Sequence, residues 1–207
     1  MDDLKLSLDF ILQYGPLSSW KTLLITLLVV AILVVILILN WAKWTRKEKW
    51  FRTAFLFYIY LILTYTLLSR SVRNYFDYDL ILFWSYQEIW TTHNFQLAVE
   101  VFTNCLMFIP VGVLMPFAYE KYFGRDEVKI RNSVIICGFS VSASVECLQL
   151  LTRTGLFEWD DMIHNTIGVI AGYGIYLLIK NKSFQEVKWY FLPFGLVILA
   201  LMVAMFH

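Results

Sequence analysis

Cysteine, histidine and formal charge are all scarce in this chain, and each scarcity closes a class of function. The three cysteines, Cys105, Cys137 and Cys147, never stand at C-x-x-C spacing. A disulfide scaffold or thiolate metal site is therefore not expected, and the thiols read as reduced side chains within apolar sequence. The three histidines form no H-E-x-x-H or comparable ligand pattern, and neither a metal nor a cofactor is implied. G-x-S-x-G is absent too, which disfavours a hydrolase built on a nucleophile elbow. Charged residues make up 16% of the chain and the net charge is +1. The basic residues are dispersed among loops, so nucleic acid is not a partner.

What is abundant is hydrocarbon. Hydrophobic residues reach 59%, against about 45–50% in soluble domains. Six segments, at about 20–40, 51–69, 99–119, 132–151, 161–179 and 189–206, approach the ~20 residues of a helical span. The expected fold is all-α: a polytopic membrane helix bundle forming a single domain over 1–207. The first run follows an acidic N-terminus and has the length of a full span, which argues against a cleaved signal peptide. Pro110 is expected to kink the third span and free a backbone carbonyl. Residues 70–98 are too polar to span and rich in rings, among them Tyr75, Phe76, Tyr78, Phe83, Trp84, Tyr86 and Trp90. Such rings favour the headgroup region, so this stretch reads as an extracytoplasmic interfacial hairpin or re-entrant element between the second and third spans.

Lysine and arginine set the expected orientation. The loops at 41–52, 120–131 and 180–188 carry twelve of them, and the alternate side carries five. The rich side belongs in the cytoplasm of a bacterial cell membrane, which leaves both termini outside. The junction at 152–160 then faces outward.

Polar residues interrupt the apolar runs at helical spacing. Ser142, Glu146, Gln149 and Arg153 form one stripe; Asp161, Asn165, Gly168 and Gly172 form a second with the same offsets. A charged residue at the centre of a span costs roughly 2.5–3.5 kcal/mol, so Glu146 must be protonated or paired. Counting back from the junction places Gln149 and Asn165 at matching depth, with Asn104 of the third span joining them. A polar pocket open to the outer face is the expected result. Asp160 and Asp161 serve as N-terminal caps or as oxygen ligands for a hard cation, and His164 reads as a packed side chain. Gly168 and Gly172 make a G-x-x-x-G, the usual mark of close helix packing in membranes.

These residues fall in an order that resembles the VanZ-like family of integral membrane proteins. Asn104-x-x-x-Phe108-x-Pro110-x-Gly112-x-Leu114 is similar to the opening of that family's pattern. Glu146-x-x-Gln149, Arg153, and Asp161-x-x-x-Asn165-x-x-Gly168-x-x-x-Gly172-Tyr173 are similar to the remainder. The resembling core runs from about 55 to 174. The resemblance implies a functional set of Asn104, Glu146, Gln149, Arg153, Asp161 and Asn165, with Asp160 beside it. It also implies a link to resistance against teicoplanin-type lipoglycopeptide antibiotics in Gram-positive bacteria, whose cell envelope would supply the setting. Two functions stand open. In one, the pocket binds a lipoglycopeptide or a lipid-linked envelope precursor, with membrane lipids as the other partners. In the other, an extracytoplasmic-facing membrane enzyme acts on an envelope lipid or cell-wall precursor, with Glu146 and Asp161 as acid/base candidates.

Overall fold

The computed structural model describes residues 44–68, 70, 73–124 and 126–206, together with the isolated positions 31, 34, 35 and 38. Apart from those four positions, the span expected at 20–40 lies outside the described residues, as does the N-terminus. Among the described residues, six helices and two short strands follow one another. They are α1 (Arg46–Leu63, continued by a π-helical turn at Thr64–Leu68), β1 (Asp77–Asp79), α2 (Trp84–Thr92) and α3 (Phe95–Phe123), then α4 (Glu127–Thr152), β2 (Leu156–Glu158), α5 (Trp159–Ile179) and α6 (Phe184–Phe206). All but α2 are long and apolar enough to cross a membrane. They coincide with the expected spans and start two to five residues before each of them.

Local chemistry fixes where the helices begin. Thr45 and Glu48 form a reciprocal capping box ahead of α1, with bonds of 2.8 and 3.3 Å. Asn94 accepts from the Leu97 N–H to start α3, and Asp126 accepts from Val128 and Lys129 to start α4. The end of α4 is set by Arg153, which adopts φ 57° and turns the chain out of the helix.

α5 is the central helix, packed on α3, α4 and α6. Its seam with α3 is backbone on backbone. A Cβ on Gly168 would collide with the Cys105 carbonyl, one on Gly172 with the Ile109 carbonyl, and one on Gly112 with the Val169 carbonyl. The Cys105–Gly168 and Ile109–Gly172 pairings ascend together, so α3 and α5 run parallel, with α4 as the antiparallel return between them. The G-x-x-x-G therefore does what its spacing suggests. α1 joins the outer side of α3, where the Tyr58 hydroxyl donates to the Met107 carbonyl at 2.8 Å.

Two details differ from expectation. The helical dihedrals of α3 break at Tyr119 (φ −124°, ψ 16°), beyond Pro116, and not at Pro110. At that point the Arg52 Nε donates to the Ala118 carbonyl at 2.8 Å, and its guanidinium sits over the Trp44 ring at 4.2 Å. A cation bound to the carbonyl beside the break favours a bend there. The aromatic segment 70–98 is also no hairpin. β1 pairs in parallel with β2, Asp77 opposite Leu156 and Asp79 opposite Glu158, and α2 follows. Parallel partners cannot be joined by a tight turn. The segment is instead tied down by the α4–α5 connection, helped by the Arg73 N–H donating to the Arg153 carbonyl at 2.7 Å.

The seam makes a direct prediction. Gly168→Ala and Gly172→Ala should each force α3 and α5 apart, at about 1–3 kcal/mol of overpacking. The same change at Gly195, where nothing lies within 4 Å, should be neutral or slightly stabilising. Thermal unfolding of the detergent-solubilised variants checks the contrast.

Candidate functional site

The polar stripes meet where α4, α5 and α3 converge near the strand pair. Ser142, Glu146, Gln149 and Asn165 are all buried, none more than 3% exposed. Asn165 donates its amide N–H to Ser142 Oγ at 2.9 Å, and Glu146 accepts the Glu158 backbone N–H at 3.2 Å. Asp161 lies within Coulombic reach of Glu146. The register is therefore Ser142 against Asn165 and Glu146 against the Glu158–Asp161 turn.

Gln149 and Asn165 do not share a level. Gln149 reaches instead to the Thr66 carbonyl at 3.2 Å, inside the π-helical turn of α1. The difference comes from β2. Pairing with β1 carries the chain back over Glu146 before α5 starts at Trp159, so the second stripe begins deeper along α4 than a simple turn would place it.

From the parallel neighbour α3, Asn104 donates to Asp161 Oδ1 at 2.6 Å. This pair forms part of the wall of a cavity of about 580 Å³, with Arg70, Glu100, Trp84 and Glu158 around it. Of the seven residues expected to bind a ligand, Asn104 and Asp161 line this chamber. Glu146, Gln149 and Asn165 sit behind its wall as a buried frame. Arg153 lies elsewhere: the left-handed turn takes it off the stripe, it is exposed, and its guanidinium covers the Phe76 ring at 5.3 Å.

The cation of the chamber is Arg70, which stands within Coulombic reach of both Glu146 and Asp161. Sequence reasoning assigned that role to Arg153 through its place on the stripe. The signal for Arg70 was its position at the end of a span facing the same side as the acidic stripes. Arg73 also lines the cavity, but it is paired with Asp77.

Asp160 has a different task. One carboxylate oxygen accepts from the Phe83 N–H at 2.6 Å. The other accepts from the Ser85 N–H at 3.1 Å and the Ser85 hydroxyl at 2.6 Å. It thus caps α2 from another helix, satisfying the donors that a helix start leaves free. No group of three or more His, Cys, Asp and Glu among the described residues is arranged to hold a metal ion. His164 is 1% exposed and shares a 2.9 Å hydrogen bond with the Tyr86 hydroxyl.

Burial shapes the chemistry at the rim. It disfavours the charged form of Glu158, and the nearby Asp161, Asp160 and Asp79 add repulsion, while the Trp84 indole N–H opposes them. The Glu158 carboxyl is pushed up to about 8 and is mostly protonated at neutral pH. The Tyr86 phenol is raised by burial as well. The chamber therefore offers a guanidinium, a protonated acid, an amide and carboxylates within one wall. It can hold a polar group that carries both donors and acceptors.

A family model described as VanZ/LLP1 matches residues 23–180. The chain belongs to the VanZ/LLP1 family. The matched range is broader than the motif-bearing stretch at about 55–174 and takes in α1 to α5 with every chamber residue named above; α6 lies beyond it. A search of curated proteins and one of solved structures gave no match. Family membership and the five apolar helices make this a multi-pass membrane protein.

Two measurements test the site's construction. Asp160→Asn leaves a single acceptor oxygen for three donors, so the first turn of α2 should loosen at a cost of about 2 kcal/mol; faster amide exchange at Phe83 and Ser85 reports it. Glu158 sets a pH dependence. Its folded-state pKa lies above the ordinary 4.5, so its stabilising contribution is complete below that value and is lost as pH rises through about 8. The wild-type melting temperature should fall across that window, and Glu158→Gln should flatten the fall.

Proposed function

We propose that the chamber binds the polar part of a lipid-linked or acylated ligand at the outer face of the membrane. Through this binding the chain contributes to resistance against teicoplanin-type lipoglycopeptides. One observation carries the reading: Arg70 and the Asn104–Asp161 pair, drawn from three parts of the chain, meet in one cavity among membrane-length helices. A ligand suited to that wall is polar and bears charge, yet it must be reached from within or beside a bilayer. An acylated or lipid-linked molecule has both properties. The excess of lysine and arginine in the loops at 41–52, 120–131 and 180–188 supports an outward opening, because the chamber lies at the opposite ends of these helices.

Binding is favoured over catalysis by how the acids are used. The Asp161 carboxylate accepts from Asn104, and Glu146 is buried behind the wall, accepting a backbone N–H. A general base must be reached by the reacting proton, and Glu146 is buried and not part of the chamber's lining.

The reading predicts a selective phenotype. Expression in a susceptible Gram-positive host should raise the inhibitory concentration of teicoplanin, which carries a fatty acyl chain, and leave that of vancomycin, which carries none. Arg70→Gln and Asn104→Ala should each weaken binding of the acylated antibiotic to purified protein by about tenfold, or ~1.4 kcal/mol. Equal protection by those variants, or equal protection against both antibiotics, would refute the assignment.

A further inference from the structure

Gln149 is buried behind the chamber, yet its side-chain amide is only half used. The N–H group donates to the Thr66 carbonyl at 3.2 Å, while the carbonyl oxygen, also buried, has no hydrogen-bond partner. A buried acceptor left unmet costs free energy, so it marks a contact still to be made. Arg70 is the donor beside it. A Cβ built on Gly155 would meet Gln149 Cδ at 3.0 Å and Arg70 Nη1 at 3.2 Å, so those two atoms lie no more than about 6 Å apart. Gly155 is itself buried, and its neighbours Thr154 and Leu156 line the chamber together with Arg70. Among the described glycines only Gly124 has a positive φ. The backbone at 155 is therefore open to other residues, and what calls for glycine there is the space that the guanidinium takes.

We propose that Gly155 and Gln149 are positioning residues for Arg70. The bare backbone of Gly155 admits the guanidinium, and the Gln149 carbonyl accepts one of its N–H groups, which turns the remaining donors toward the chamber. The inference rests on the chamber's being a ligand site and names what aims its cation. The amide works as a clamp with two jaws. Its N–H side holds the Thr66 carbonyl inside the π-helical turn, and its oxygen holds the Arg70 side chain just beyond that turn. The Arg70 backbone N–H is tied to the same turn, donating to the Leu67 carbonyl at 3.4 Å. Arginine carries its donors in a planar fork, so one donor given to a fixed acceptor leaves the others aimed. Without the clamp, a side chain of that length would surrender its rotamer freedom only on meeting the ligand, and affinity would fall. The two neighbours of Gly155 differ in how far they can yield. Gln149 is buried and bonded to Thr66, whereas Arg70 is exposed. A methyl group at 155 therefore displaces the guanidinium and spares the fold.

The test begins on Arg70 itself, with no ligand present. In the detergent-solubilised full chain, p-hydroxyphenylglyoxal should modify Arg70 more slowly than the exposed Arg46, as read by peptide mass spectrometry. Gly155→Ala and Gln149→Leu should each speed the modification of Arg70 severalfold. Gly195→Ala, where nothing lies within 4 Å, should leave it unchanged. Teicoplanin is the ligand probe. Both variants should weaken its binding by about tenfold. In an Arg70→Gln background neither should weaken it further, because the whole loss runs through one guanidinium. Gly155→Ala should melt close to wild type. An unchanged rate of Arg70 modification in either variant overturns the proposal. Binding losses that add in full to that of Arg70→Gln overturn it too, since the residues would then act apart from Arg70. A Gly155→Ala protein that melts far below wild type also overturns it, because the glycine would then serve the fold. If teicoplanin does not bind wild type while both variants still free Arg70 for modification, the clamp stands and the ligand reading of the chamber has failed.

Discussion

The contact on which the site depends is the bare backbone seam between α3 and α5. Gly112, Gly168 and Gly172 let the two parallel helices touch through main-chain carbonyls, which gives dispersion contact without a hydrophobic driving force. Asn104 is the residue just before Cys105, whose carbonyl lies against Gly168. Helical side chains tilt toward the N-terminus, so from that close approach Asn104 reaches back up to Asp161 at 2.6 Å. With larger residues in the seam the two side chains would separate, and the wall of the chamber would lose its defining pair. Packing glycines far into the spans thus determine polar geometry at one end.

The same economy holds in the layer behind the wall. A buried polar group in an apolar bundle is costly unless it finds a partner. Ser142 and Asn165 satisfy each other, Gln149 serves the carbonyl in the π-helical turn of α1, and Glu146 serves the first residue above α5. These bonds join α1, α4 and α5 alongside the apolar core that Ile62, Val134, Val145 and Val169 share. They also explain why the strand pair matters. β2 brings the Glu158 N–H over Glu146, and β1 brings the aromatic segment with α2 over the chamber's edge.

Much of this was legible from residue order. The span positions and the all-α class follow from apolar runs, the three-helix convergence from two stripes at helical offsets, and the close seam from G-x-x-x-G. What was not legible depends on where a helix stops. The stripe through Ser142, Glu146 and Gln149 extends on paper to Arg153, but the left-handed turn there removes it, and no cap residue signals that turn. The register between α4 and α5 shifts because of a three-residue parallel pairing whose partner is distant in sequence. Asp160 and Asp161 are indistinguishable by type. Only the position of α2 decides that one caps a helix and the other lines a cavity.

α2 is the element that gives this arrangement its asymmetry. It is too short to span, and its first turn lacks a cap of its own: Phe83, at φ 62°, supplies no side-chain acceptor. Asp160 replaces that cap from the start of α5, so the turn is held by the helix that also carries Asp161. Adjacent residues of this turn then face a polar chamber on one side and an apolar groove on the other. A site fixed in this way loses little freedom when a ligand arrives, because its donors and acceptors are already held by one another. Catalysis would require an acid free to exchange a proton with its substrate, and Asp161, which lines the chamber, is engaged by the Asn104 amide. Recognition needs only that the wall stay as it is, with α2 held in place by the buried Asp160 carboxylate, the Tyr86–His164 hydrogen bond and the burial of Ile89.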